Sequence, residues 1–235
     1  MFSASAQYYD QIYSQLKDYS QETDRIDALV RRVNPRAATI LDVGCGTGEH
    51  ARRLAARGFV VDGLDLDPAF VRIAQTKHQI GRFFEADMCR FALPSRYDAI
   101  LCLFSSIGYV RTIDRVRDAL GCFRDHLNSR GVILVEPWFP PGGLDPARVA
   151  TNVSEAAGVR VVRVSHVEIE GRRSRLFFDY EVSDATGTRR MSERHDLGLF
   201  TTSEMIEAFR DVGLDVEHDP DGFTDRGLFI ARATP

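Results

Sequence analysis

The sequence predicts an α/β fold in which a mostly parallel, doubly wound sheet carries helices on both faces. Two observations lead to this prediction. Between residues 39 and 136 short buried strands alternate with helices, and such alternation is typical of parallel strands joined by right-handed crossovers. A glycine-rich turn at residues 44–48 lies directly between the first of these strands and the helix after it. We therefore expect one compact unit with a ligand site at that turn.

The elements of this core follow from periodicity and from residues that begin or end helices. Ser20 begins a helix that reaches about residue 33, because apolar residues recur there at helical spacing before Pro35. Further along, Asp67 caps a helix that has Pro68 at its first position and reaches about residue 78. The remaining predicted strands are 39–43, 59–64, 83–86, 97–103 and 131–136, and the remaining predicted helices are 49–57 and 114–127.

A different pattern begins after residue 136. Residues 137–143 are a loop rich in proline and glycine, and the residues beyond it alternate between apolar and polar. Three antiparallel strands, a last helix and two final core strands are expected in chain order at 159–169, 174–182, 188–199, 202–212, 214–217 and 228–233. We expect residues 1–140 and 200–235 to form the core, and residues 141–199 to form an antiparallel insert that contributes to the substrate site.

Composition indicates a soluble globular protein whose partner is a small molecule. A formal net charge of −4 argues against the clustered Lys and Arg that nucleic-acid binding demands. The first eight residues lack the basic start and apolar run of a signal peptide, and no stretch is long enough to span a bilayer. We therefore expect a cytoplasmic protein without a membrane partner. The four cysteines form no CxxC pair, so no metal site is expected.

The glycine loop favours a nucleoside without phosphates over a dinucleotide. Gly44, Gly46 and Gly48 let the chain turn tightly and lie against a ligand. A dinucleotide fingerprint would need its last glycine at residue 49, where Glu49 adds negative charge beside the expected pyrophosphate. This disfavours an NAD-dependent dehydrogenase. Asp42, just before the loop, suits a ligand that carries an ammonium group.

Two further carboxylates follow the next two strands of the sheet. Asp65 ends the second strand, where Rossmann-like sheets bind the ribose hydroxyls with a carboxylate. Asp87 follows the third strand and is expected to meet the adenine amino group. Each aspartate alone is more often a cap or turn residue. Together, beside a glycine loop, they predict a nucleoside site.

Residues 42–48, with Asp65 and Asp87 in order, resemble the class I S-adenosylmethionine-dependent methyltransferases. The resemblance implies a Rossmann-like sheet, mostly parallel with an antiparallel last strand. It also implies S-adenosylmethionine as cofactor and S-adenosylhomocysteine as product. The cofactor-binding residues that it implies are Asp42, Gly44, Gly46, Gly48, Asp65, Leu66, Asp87, Met88, and Leu103 or Phe104, and the narrower resemblance described next adds Tyr9 and Tyr19.

A narrower resemblance spans nearly the whole chain. Residues 17–19, 104–109, 135–139 and 226–229 are similar to the N,N-dimethyltransferases that act on TDP-linked amino deoxysugars, of the desosamine and mycaminose type. The similarity implies N-methylation of a nucleotide-linked amino sugar. It further implies that Ser106 and Tyr109 lie where the amino group meets the methyl group. We predict that Tyr109 and Glu136 orient the amine as catalytic groups, and that the substrate-binding residues are Ser106, Trp138, His166, and, for the diphosphate, Arg175 and Arg226.

Several alternatives stay open at this point. The acceptor can be another small molecule that is O- or N-methylated, and a non-catalytic cofactor-binding subunit is a less favoured reading. Tyr109 can be a packing residue, Trp138 a loop anchor, and His166 an ordinary surface or core histidine. Exposed edges of the antiparallel insert also favour a homodimer, although the chain itself can cover such edges.

Overall fold

The computed structural model describes residues 4–78 and 81–234. Residues 1–3, which belong to the segment predicted not to be a signal peptide, lie outside the described residues. Residue 235, the last of the predicted core, also lies outside them. The strands are β1 (Thr39–Val43), β2 (Val60–Asp65), β3 (Phe83–Glu85), β4 (Tyr97–Cys102), β5 (Leu127–Val135), β6 (Ala150–Ala156), β7 (Val159–Glu170), β8 (Arg173–Asp184), β9 (Gly187–Gly198), β10 (Leu214–Asp219) and β11 (Leu228–Ala233). The helices are α1 (Tyr9–Tyr13), α2 (Tyr19–Val33), α3 (Glu49–Ala55), α4 (Pro68–Lys77), α5 (Ile113–Asp125) and α6 (Thr202–Asp211), with 3-10 helices at Ala6–Tyr8 and Ser106–Val110.

Within residues 4–78 and 81–234, seven strands form the larger sheet in the order β10-β11-β5-β4-β1-β2-β3. The pairs from β3 to β5 are parallel, whereas β11 is antiparallel to both β5 and β10. This confirms the predicted mostly parallel sheet with an antiparallel last strand. The chain places β2 and β3 on one side of β1 and then crosses to β4 on the other. Loops after β1 and β4 therefore separate at a crevice, where open α/β sheets bind ligands.

Both faces of this sheet are covered by helices. Phe123 of α5 and Phe209 of α6 are fully buried on one face. Ile26 of α2 and Leu54 of α3 are fully buried on the other. Because both faces of the sheet are buried, its parallel strands consist of nearly continuous apolar runs. These runs made the strands recognisable in the sequence.

The insert is a separate antiparallel sheet of four strands in the order β6-β7-β8-β9. Three of these strands were predicted, and the expectation of only three was wrong. The missed strand, β6, has mostly exposed residues, and its central Val153 is itself exposed. A strand without a buried face has no apolar alternation, so only its pairing with β7 reveals it.

The N-terminal segment packs on the insert through two short helices that the sequence did not predict. Tyr8, Ile12 and Tyr13 form one apolar cluster with residues of β7 and β8, among them Val161 and Phe178. Helices of three and five residues are too short to show helical periodicity. The cluster brings this segment to the same edge of the fold as the glycine loop.

Some predicted boundaries also differ from the observed ones. Asp18, rather than Ser20, caps α2, because its Oδ1 accepts the backbone N–H groups of Ser20 and Gln21 at 3.0 Å each. The strand expected from residue 131 begins at Leu127, directly after α5. These shifts do not move any residue of the predicted glycine loop.

Candidate active site

A cavity of about 380 Å³ lies at the carboxyl ends of β1, β2 and β4. Its walls come from the loops after these strands, from the N-terminal helices and from the insert. The insert contributes Leu176, Phe178 and Leu197, and the N-terminal segment contributes Tyr9 and Tyr13. The cavity is thus enclosed by parts of the chain that are far apart in sequence.

Gly44 and Gly46 of the glycine loop form one wall of the cavity with backbone atoms alone. Gly44 has φ +70°, and a Cβ there would lie 2.7 Å from Cβ and Oγ of Ser106. The backbone N–H of Gly46 donates to Oδ2 of Asp65 at 2.9 Å. The loop is therefore tied to the end of β2 and pressed against the segment after β4, and only glycine fits at residue 44.

Asp65 lies at the cavity with both carboxylate oxygens oriented by backbone groups. Its Oδ1 accepts the N–H of Asp67 at 2.9 Å, and burial raises the pKa of Asp65 above its usual value. Each carboxylate oxygen can accept more than one hydrogen bond. Asp65 is therefore held in place and can still accept hydrogen bonds from ligand hydroxyls.

Asp42 stands directly before the loop and is 2% exposed. Its Oδ2 has no hydrogen-bond partner among residues 4–78 and 81–234. Burial raises its pKa to about 6, against the opposing charge of His50. A buried carboxylate oxygen without a donor is costly, and a nearby ligand cation would offset that cost.

Leu66 and Met88 form an apolar part of the cavity wall, which also contains the ion pair of Asp87 and Arg115. Leu66 is 55% exposed although it is a large apolar residue, and it lines the cavity together with Met88. Asp87 lines the same wall, where it accepts the N–H of Cys89 at 3.0 Å and pairs with Arg115 at 3.0 Å. A bound aromatic ring would cover the exposed leucine. The cavity thus fits a nucleoside.

Comparison with known proteins agrees with this geometry. The sequence pattern of the methyltransferase-domain family matches residues 40–131. Over 226 residues the chain is 39% identical to a dTDP-3-amino-3,6-dideoxy-alpha-D-glucopyranose N,N-dimethyltransferase of Streptomyces fradiae, covering 95% of this chain and 89% of the relative. The chain belongs to this family of class I S-adenosylmethionine-dependent methyltransferases. S-adenosylmethionine is therefore its methyl donor, as predicted.

Solved structures agree over the full length of the methyltransferase. DesVI of Streptomyces venezuelae superimposes with a TM-score of 0.93 at 34% identity, covering 98% of each chain. CalS10 of Micromonospora echinaspora, an amino pentose methyltransferase solved with S-adenosylmethionine bound, gives a TM-score of 0.86 at 32% identity, covering 100% of this chain and 98% of that one. The insert is part of these alignments.

The cavity of the methyltransferase brings together most of the residues predicted for its site. The predicted cofactor residues that line it are Tyr9, Gly44, Gly46, Asp65, Leu66, Asp87 and Met88. The predicted acceptor and catalytic residues that line it are Ser106, Tyr109, Trp138 and Arg226. Those that do not are Tyr19, Asp42, Gly48, Leu103, Glu136, His166 and Arg175. Phe104, the alternative to Leu103, lines the cavity.

Glu136 has a different position from the one that the resemblance implied. It is 1% exposed, and its oxygens accept hydrogen bonds from the N–H of Phe104, the hydroxyl of Thr224 and the guanidinium of Arg226. Phe104 and Ser105 have positive φ values of 51° and 63°, which are unfavourable for residues with side chains. Glu136 therefore holds a strained segment of the cavity wall rather than contacting an amine there.

Two insert residues predicted to bind substrate lie outside the cavity. His166 stacks on Phe177 with ring centroids 4.8 Å apart. Arg175 pairs with Glu170 at 2.7 Å and with Asp196 at 3.1 Å. Both side chains contact partners on the insert itself, which sequence reasoning could not identify.

Three predicted cofactor residues have packing roles in the structure. Gly48 begins α3 with φ +76°, and a Cβ there would lie 2.7 Å from His78. Tyr19 packs edge-on against His50, with ring centroids 5.0 Å apart. Leu103 is buried in the core of the sheet. None of these positions reaches the cavity wall.

Several cavity residues were missed from sequence. They come from the N-terminal helices, from α4, from the end of the second 3-10 helix, from α5 and from the insert, and they include Tyr13, Phe70, Arg111, Arg115, Phe178 and Leu197. No motif marks them, because each reaches the cavity through long-range packing. For Tyr13 and Phe178, the shared apolar cluster is what brings them there.

Asp42 makes stability dependent on pH. Its pKa is about 6 in the folded protein against 3.8 for an ordinary aspartate, so the folded state binds this proton more tightly. As the pH rises from about 4 to about 6, this group should therefore lower the free energy of unfolding by roughly 2–3 kcal/mol. Urea unfolding of wild type and Asp42→Asn across this range measures the difference. Parallel pH profiles for the two proteins would contradict the prediction.

Proposed function

We propose that this methyltransferase N-methylates the amino group of a TDP-linked amino deoxysugar. The observation that carries the proposal is a single cavity whose walls combine the glycine loop with Tyr109, Trp138 and the insert. Relatives that are similar over nearly the whole chain act on dTDP-linked amino sugars, which supports the same acceptor class here. The core, residues 1–140 and 200–235, would then bind the cofactor. The insert, residues 141–199, would complete the acceptor site.

The chemistry depends mainly on position. When bound, S-adenosylmethionine supplies a methyl group on a positively charged sulfur. Ser106 lies against Gly44 of the glycine loop and Tyr109 lines the same cavity, so they are placed to orient an amine toward that methyl group. Tyr13, Phe104 and Phe178 enclose the cavity with aromatic rings that exclude water. Proximity and a dry environment account for most of the rate in such a displacement.

The cavity also offers a site for the diphosphate. Arg226 lines the cavity, and its Nη2 donates a hydrogen bond to Oε1 of Glu136 at 2.7 Å. Its Nε has no hydrogen-bond partner in the described part of the chain. Arg111 lines the cavity and is exposed, with no carboxylate partner among residues 4–78 and 81–234. Arginine donors suit phosphate oxygens through charge-assisted hydrogen bonds. We infer that Arg111 and Arg226, and not Arg175, contact the diphosphate.

Arg111 and Arg175 provide a matched pair for a binding measurement. Arg111→Met should weaken TDP binding by about tenfold, because it removes a charge-assisted hydrogen bond. Arg175→Met should leave TDP binding unchanged, since Arg175 lies outside the cavity. Calorimetric titration of TDP into protein saturated with S-adenosylhomocysteine measures both effects, with UDP as a control. Equal losses in the two variants would contradict this assignment.

The direct test of function is turnover. The protein is incubated with S-adenosylmethionine and TDP-linked 3-amino or 4-amino deoxysugars, and the products are analysed by mass spectrometry. The expected result is the addition of one or two methyl groups at nitrogen. If S-adenosylhomocysteine binds tightly but no TDP-amino sugar is methylated, the acceptor belongs to another class of small molecule.

Assembly and location remain predictions. Among the described residues, every helix is too short or too polar to cross a bilayer. We infer a cytoplasmic enzyme that has no nucleic-acid partner and forms a homodimer. Light scattering at two protein concentrations tests the dimer, and a single species with the mass of one chain would exclude it.

A further inference from the structure

A line of three polar side chains leads from the cavity into the insert. The hydroxyl oxygen of Tyr109 lies 3.0 Å from Nδ1 of His195, which is 1% exposed on β9. The opposite ring nitrogen, Nε2, lies 3.7 Å from Oε2 of Glu193, two residues earlier on the same face of β9. Tyr109 lines the cavity, whereas His195 and Glu193 do not.

Glu193 is held in a fixed orientation by the N-terminal segment. Its Oε1 accepts the backbone N–H groups of Ala4 and Ser5, at 3.0 and 2.9 Å. Its Oε2 accepts the hydroxyl of Ser5 at 2.8 Å. These bonds explain why Glu193 is buried, since they fasten residues 4 and 5 to the insert. They do not explain why a histidine, rather than an apolar residue, fills the space between Glu193 and Tyr109.

The surroundings set the protonation of the two rings. Burial raises the pKa of Tyr109 well above its usual value, so its hydroxyl keeps its proton. Burial lowers the pKa of His195, so its imidazole is neutral at pH 7. The ionisable side chains that act on these two rings are Tyr13 from α1, Asp65 from β2, Arg163 from β7, Tyr180 from β8 and Glu193 from β9.

The positions of the charges also select the tautomer. A carboxylate next to Nε2 favours the proton on that nitrogen. Nδ1 is then an acceptor, and the hydroxyl of Tyr109 donates to it across the 3.0 Å contact. In this arrangement the lone pairs of the Tyr109 oxygen are available to accept a hydrogen bond from the cavity side.

We propose that His195 and Glu193 are positioning residues through which Tyr109 removes a proton from the acceptor ammonium. The proposal rests on the proposed function. The ammonium gives a proton to the Tyr109 oxygen while the hydroxyl proton of Tyr109 passes to Nδ1 of His195, and Glu193 stabilises the resulting imidazolium. The nitrogen lone pair then forms the new C–N bond as the C–S bond breaks, and its electron pair stays on sulfur.

Such a route matters most for repeated methylation. Each transfer to an amine leaves a new ammonium, so a second methylation requires the removal of another proton after His195 has returned the first one through Tyr109 to water in the cavity. Among the carboxylates of the cavity wall, Asp65 is held by backbone N–H groups and Asp87 is paired with Arg115, whereas Tyr109 leads directly to an uncharged acceptor. A relay that ends on a neutral histidine takes up the proton without placing a bare charge in the cavity.

The direction of the relay can be measured without any acceptor. Nitrogen-15 NMR of the protein bound to S-adenosylhomocysteine should show His195 as the neutral tautomer with the proton on Nε2 at pH 7. Tyr109→Phe should shift the Nδ1 resonance, because it removes the hydrogen bond to that nitrogen. A proton on Nδ1 would overturn the proposal, whatever the acceptor.

Kinetics then separate proton transfer from simple packing. His195→Asn keeps a hydrogen-bond acceptor near Tyr109 but cannot take up a proton, and it should lower kcat at pH 7 by about 100-fold. The loss should shrink as pH rises and the acceptor amine becomes neutral in solution, with the KM for S-adenosylmethionine unchanged. A loss that is equal at all pH values would overturn the proposal.

His126 supplies the control variant. It is buried and hydrogen-bonded to the N–H of Leu93, but it lies outside the cavity. His126→Asn should lower stability and leave the pH profile of kcat unchanged. If wild type methylates no TDP-amino sugar, the proposed function fails, and the NMR result still decides the relay independently.

Discussion

Glu136→Gln is expected to lower the free energy of unfolding by about 3–5 kcal/mol, because it leaves the guanidinium of Arg226 buried without its carboxylate. All the groups that face Glu136 are donors: the N–H of Phe104, the hydroxyl of Thr224 and the guanidinium of Arg226. A glutamine amide would turn its NH₂ group toward one of them. Urea unfolding monitored by circular dichroism measures the loss.

An exposed ion pair gives the comparison for this variant. Glu170 pairs with Arg175 at 2.7 Å, and its side chain is largely exposed. Glu170→Gln should cost less than about 1 kcal/mol. If Glu136→Gln instead keeps wild-type stability and loses methyl transfer, Glu136 acts on the acceptor and does not serve to hold the cavity wall.

Gly44→Ala is expected to weaken the binding of S-adenosylhomocysteine by about 100-fold, which is about 2.7 kcal/mol. The new methyl group would lie 2.7 Å from Cβ and Oγ of Ser106, and the residue would keep φ +70°, which alanine adopts unfavourably. The loop or Ser106 must move, and both form the cavity wall. Isothermal titration calorimetry of S-adenosylhomocysteine measures the change.

Gly58→Ala separates strain from the site itself. Gly58 also has a positive φ, of 91°, but a Cβ there would meet nothing within 4 Å and the residue is not part of the cavity wall. This variant should lose about 1 kcal/mol of stability and bind S-adenosylhomocysteine normally. Equal affinity of Gly44→Ala and wild type would mean that the cofactor does not lie against this loop.

Much of the fold was predictable because its signals are local. Runs such as residues 39–43 and 97–102 are apolar since both faces of the sheet are buried. The breaker-rich loop after Glu136 marked the start of the insert. In contrast, β6 has mostly exposed residues and α1 has five residues, so neither has a pattern of its own.

The position of most proposed cofactor residues at one cavity was also predictable, whereas that of the proposed acceptor residues was only partly so. Gly44, Asp65 and Asp87 follow neighbouring strands, and parallel strands bring such positions together at one edge of the sheet. Arg175 and His166 were chosen by residue type and resemblance alone. In the fold, neighbours on the insert satisfy them, and Arg111 lines the cavity instead.

The order of strands and helices, the glycine loop and the carboxylates after β2 and β3 follow from the sequence, because each depends on a few adjacent residues. Only the tertiary structure decides which charged and polar groups meet. Glu136 pairs with Arg226, and Tyr109 contacts His195, across long stretches of chain. Such partners are selected by the packing of whole elements, since a buried polar group is stable only where the fold supplies its complement.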